Sequence, residues 1–110
     1  MRPRVTTAVV ASALLLASTG ALAAPAMASN AKGDFTGSGV AIRQGPNTSF
    51  PRNGLGFPGQ QQCTNFFTNG QSINGNTLWS HLKDIATGVT GYSSDEFLDY
   101  FTPFPVNCSF

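Results

Sequence analysis

Gly39-Val40-Ala41-Ile42-Arg43-Gln44-Gly45-Pro46-Asn47-Thr48-Ser49-Phe50-Pro51 reads as a short strand running into a loop. Val40 and Ile42 fall on one face and Ala41 and Arg43 on the other, the period of a strand with one wet side. Pro46 then fixes φ, and Asn47, Thr48 and Ser49 carry side chains that bond to nearby backbone. The same grammar continues downstream. From residue 29 onward the chain holds eleven Gly, five Pro and eight Asn, a density that breaks helices and joins short strands by turns.

Beyond this segment, Phe50-Pro51 to Phe57-Pro58-Gly59 reads as a second loop, with Leu55 and Phe57 as core residues. Gln60 to Phe67 is a strand with Cys63 near its centre. Phe66 and Phe67 are adjacent, so they point to opposite faces, and one of them must lie exposed or under the tail. Asn69-Gly70 and Asn74-Gly75 bracket a hairpin tip, because Asn-Gly accepts the positive φ of such turns. Leu78 to Leu82 returns, with Trp79 on one face and Leu78 and Leu82 on the other. Val89 to Ser93 is the last short strand, and Ser94 caps a single helical turn through Leu98. Thr102 to Phe110 contains two prolines and is irregular. Five short strands around one core make an all-β domain, a small and strongly bent barrel. The chain has no internal repeat.

Upstream, residues 29–37 are small and polar and read as a flexible arm before a domain at 38–110. Residues 1–28 have the order of an export signal. Arg2 and Arg4 precede an apolar stretch from Val5 to Leu16, and Ala26-Met27-Ala28 fits the small-residue cleavage pattern. The many Ala, Ser and Thr residues, with Gly20 and Pro25, disfavour a membrane span. The expected product is soluble and secreted, extracellular or associated with the cell wall.

Charged residues make up 10% of the chain, and the formal net charge is +1. Without Arg2 and Arg4, Lys32, Arg43, Arg52 and Lys83 face Asp34, Asp84, Asp95, Glu96 and Asp99. That balance gives no handle on nucleic acid or on an anionic membrane surface. Cys63 and Cys108 are the only thiols, and in an oxidising compartment they have one intramolecular pairing. Closing that loop contributes roughly 4 kcal/mol in the chain-entropy model. The competing reading pairs one cysteine with His81, the sole histidine, but an unpaired thiol outside the cell oxidises. His81 near Ser80 and Asp84 lacks the ligand count of a zinc site, and nothing supplies an oxyanion hole. The expectation is therefore no metal, no cofactor and no enzymatic activity.

Three blocks carry a resemblance. Val40 to Pro51 is similar to the opening strand and Ser/Thr loop of bacterial Src-homology-3-like (SH3b) domains. Asn74-Gly75-Asn76-Thr77-Leu78-Trp79 resembles that family's turn before its Trp-bearing strand. Thr87-Gly88-Val89-Thr90-Gly91-Tyr92-Ser93-Ser94-Asp95-Glu96-Phe97-Leu98 resembles its closing segment. The blocks come in the family's order. The resemblance implies a five-stranded barrel and a targeting role, the attachment of exported proteins to peptidoglycan or its peptides.

An aromatic groove between the Ser/Thr loop and the last strand suits an extended peptide, and Asn47, Phe50, Trp79, Tyr92 and Tyr100 are its candidates. Each also has a plain role: Asn47 in the turn, Trp79 in the core, Tyr100 as an anchor for the tail. The expected function is a monomeric, non-enzymatic module that binds cell-wall peptide or peptidoglycan. The alternative is a free-standing binder or inhibitor of a protein partner, with the Phe-rich tail as its contact patch.

Overall fold

The computed structural model describes residues 30–110. The export-signal reading of residues 1–28 lies outside them. Seven strands follow one another: β1 (Ala31–Phe35), β2 (Val40–Arg43), β3 (Arg52–Gly56), β4 (Gln62–Ile73), β5 (Asn76–Asp84), β6 (Thr90–Ser94) and β7 (Leu98–Tyr100). They form one antiparallel sheet in the order β3-β2-β6-β5-β4-β1-β7. Phe35, Val40, Ile42, Leu82 and Leu98 pack together as the core, although β2 and β7 lie far apart in that order. The Phe35 ring also lies against Gly56 of β3, close to where a Cβ there would sit. The sheet therefore curls into a half-barrel with its inner face around these side chains.

The all-β class and the bent sheet agree with the sequence reading, but there are seven strands where five were expected. Ala31 to Phe35, read as part of a flexible arm, is a strand held between β4 and β7. Ala31, Gly33 and Phe35 turn inward while Lys32 and Asp34 face out. Asp34 accepts hydrogen bonds from the backbone amides of Gly59 and Gln61, which ties the β3–β4 connection to β1. Arg52 to Gly56, read as loop, pairs with β2. Leu55 and Phe57 are exposed and not core, because Gly56 takes the inward position that Phe35 fills.

The long hairpin also departs from expectation. β4 runs on through Asn69-Gly70 with a register shift, so that pair is no turn. Asn74 and Gly75 alone turn the chain, with φ of 53° and 83°. β6 is not the last strand, since β7 follows the 3-10 turn Asp95–Phe97. Ser94 caps that turn as expected, its hydroxyl accepting from the Glu96 amide at 3.2 Å.

The tail after β7 is irregular and bonded down. Cys63 and Cys108 form a disulfide with their Cα atoms 5.9 Å apart. Lys32 donates its amide to Val106 at 2.8 Å and accepts from Phe101 at 3.1 Å, while Asn30 donates to the Cys108 carbonyl at 2.9 Å. The inner face is not wholly apolar. Gln62, Thr64, Ser80, Asp84 and Ser93 are buried as well. Gln62 and Asp84 are cross-strand partners, and Gln62 Nε2 and Asp84 Oδ2 are buried without hydrogen-bond partners among the described residues.

Candidate functional site

The β4–β5 hairpin extends past the apolar core, and the tail crosses in front of its inner face. Between them lies an open, mainly apolar pocket of about 520 Å³. Strand parity places Phe67 of β4 and Leu78 of β5 on its sheet side, with Tyr100 of β7 beside them. Thr102 and Phe104 supply the tail side, and Asp95 and Asp99 complete the border. Tyr100 packs edge-to-face against Phe67 and Phe104, with ring centroids 5.8 and 5.5 Å apart. Such pairs fix ring orientation beyond what area burial provides.

Beneath the rings is a hydrogen-bond net. Tyr100 Oη donates to Asp95 Oδ1 at 2.7 Å, and Ser80 Oγ lies 2.8 Å from the same oxygen. The two hydroxyls are themselves 2.6 Å apart. Thr64 Oγ1 is 3.5 Å from the phenol and donates to Gln62 Oε1 at 2.6 Å. Burial, with the Asp95 carboxylate beside it, pushes the Tyr100 phenol well above the ordinary tyrosine range. A phenol so resistant to ionisation is a donor and not a base for Ser80. The net holds the Tyr100 ring and the Asp95 carboxylate in place.

The outer face carries a second aromatic group. Phe66, His81, Tyr92 and Arg43 form a cross-strand row over β4, β5, β6 and β2. His81 stacks between Phe66 and Phe110, with centroids at 4.8 and 5.3 Å, and Tyr92 meets it edge-on at 4.9 Å. Its Nδ1 is 2.7 Å from Asn65 Oδ1, and burial lowers its pKa below the usual histidine value. Lys83 Nζ sits 5.8 Å from the Phe110 ring centroid. Ser80 and His81, neighbours in sequence, belong to opposite faces, so they make no acid–base pair. Phe66 and Phe67 also divide between the faces, as expected, and the tail reaches both, Phe110 on one side and Phe104 on the other.

The five sequence-selected residues do not line one groove. Trp79 is only 2% exposed, with Nε1 donating to the Gln71 carbonyl at 2.8 Å. The Ser/Thr loop closes over this region: Gln71 donates its amide to Pro46, and Gln71 Oε1 accepts from Thr48. Asn47 serves the loop, its Oδ1 accepting from the Ser49 amide at 2.8 Å. Phe50 is 43% exposed beside that loop, its carbonyl bonded to Arg43. Tyr92 belongs to the outer row, and Tyr100 alone enters the inner pocket. Parity separates them, since β5 sends Trp79 and Ser80 to opposite sides. Phe67, Leu78, Asp95, Asp99, Thr102 and Phe104 are the pocket residues that the sequence did not single out. The Phe67 parity argument came nearest.

No family model, curated protein or solved structure matches the chain.

Proposed function

We propose that this protein is a secreted, non-enzymatic binding module that recognises a peptide of the cell wall, with the pocket around Tyr100 as its seat. One observation carries the reading: an open pocket walled by the Tyr100 ring and the two rings packed on it, Phe67 and Phe104, over a fixed hydrogen-bond net. Concave, mainly apolar sites with a few placed polar groups are the usual form of binding sites. The paired cysteines fit an exported protein. The wall-targeting part of the reading rests on the SH3b-like sequence blocks. The first block forms β2 and its loop, the second the turn into β5, and the third β6 with its 3-10 turn, the kinds of element that the resemblance expects of them.

The test is co-sedimentation of the oxidised protein with purified peptidoglycan sacculi. The protein is expected in the pellet, and Phe104→Ala is expected to weaken retention about tenfold, as for a well-placed aromatic anchor. Wild-type protein that stays in the supernatant overturns the reading.

The second reading, a binder of one protein partner, is favoured by the exposed Phe50, Phe57, Phe66, Phe97, Phe104 and Phe110. A single stoichiometric partner captured from culture medium, with no retention on sacculi, selects it.

A further inference from the structure

The pocket joins two kinds of chemistry. Its walls are rings and a leucine, its border carries the Asp95 carboxylate, and no basic residue is among its lining. We propose that it receives a primary alkylammonium group on a flexible methylene stem, the lysyl-type side chain of a bound peptide. The proposal rests on the peptide-binding reading above and adds the part of the peptide that is recognised.

Three features single out this occupant. A methylene stem gains from packing on Phe67, Leu78 and Phe104 while its charged head stays at a polar end. The head meets Asp95, and aromatic rings add attraction for a cation held near them. The third feature separates ammonium from guanidinium. Ser80 and Tyr100 both bond to Asp95 Oδ1, so Oδ2 is the oxygen left to take a further donor. A guanidinium fork is best matched by two free oxygens, whereas an ammonium is a point charge satisfied by one. An anionic ligand would meet the Asp95 carboxylate with no basic residue among the lining to offset it.

The test titrates the protein with Nα-acetyl-lysine methylamide, its norleucine counterpart and its arginine counterpart, followed by amide NMR. Shifts are expected at Asp95, Tyr100 and Phe104, with lysine preferred over norleucine about tenfold, the equivalent of one modest charged contact. Lysine is also expected to bind more tightly than arginine. Asp95→Asn should abolish the lysine preference. Phe104→Ala, at a side chain 55% exposed in the tail, should weaken both lysine and norleucine without unfolding the protein. Should Asp95→Asn not fold, the salt dependence of the wild-type preference replaces it, because a charge-based preference shrinks as ionic strength rises.

Equal binding of lysine and norleucine, or shifts confined to other surfaces, overturns the proposal. Acetylating the free amines of sacculi separates the two levels. Undiminished binding afterwards overturns the ammonium proposal and leaves the peptide reading intact. Lysine seated in the pocket of a protein that ignores sacculi upholds the ammonium site and removes the wall.

Discussion

Tyr100 does three things through one ring: it closes the core at β7, walls the pocket and donates to Asp95. The cost of these arrangements is visible in its ionisation. Burial and the nearby carboxylate favour the neutral phenol in the folded state, so its pKa is higher folded than unfolded. A group raised in this way contributes stability that is complete below the unfolded value, about 10 for tyrosine, and lost as pH climbs past it. Thermal melts across alkaline pH should therefore show wild-type stability falling above about pH 10 more steeply than that of Tyr100→Phe. At neutral pH the same substitution should cost about 1 kcal/mol for the lost hydrogen bond. Tyr100 could be read from the sequence as a groove candidate or as an anchor for the tail. Its partners could not. Asp95 and Ser80 stand near it only because β5, the 3-10 turn and β7 converge, and no local spacing records that.

At the scale of the element, β1 is the instructive case. Ala31-Lys32-Gly33-Asp34-Phe35 has one large apolar residue, and its composition resembles an arm. Yet it alternates, small or apolar inward and charged outward, which is the period of a strand. The signal was in the order of the residues and not in their average. β3 hides in a related way: its inward positions include glycine, so its large side chain, Leu55, faces out. The Asn69-Gly70 pair shows the converse error, a strong turn signal absorbed within a strand because its neighbours keep pairing. The β2 alternation, the Asn74-Gly75 turn and the Ser94 cap were legible because each is settled within a few residues. If β1 is integral, Phe35→Ala should destabilise the fold by roughly 3–5 kcal/mol, the range for emptying a buried aromatic position. Denaturant unfolding measures it, and a loss below about 1 kcal/mol, typical of a surface change, would return β1 to the role of an arm.

Taken whole, the molecule is a curled sheet with few core side chains and a covalent clasp. The small core makes the clasp matter. Reducing Cys63–Cys108 should lower stability by roughly 4 kcal/mol and the melting temperature by roughly 15–30 °C, and Cys108→Ser should do the same without reductant. A melt unchanged by reductant would show that strand pairing and the tail's backbone bonds suffice. The clasp also ties the tail side of the pocket to the strand that forms its sheet side. Phe104 stands four residues before Cys108, on the stretch that the sulfur bridge draws against β4. Returning two electrons and two protons to that bridge leaves the doorway's outer jamb held only by the Lys32 bonds on either side of Phe104, so binding at the proposed site is expected to weaken before the sheet unfolds.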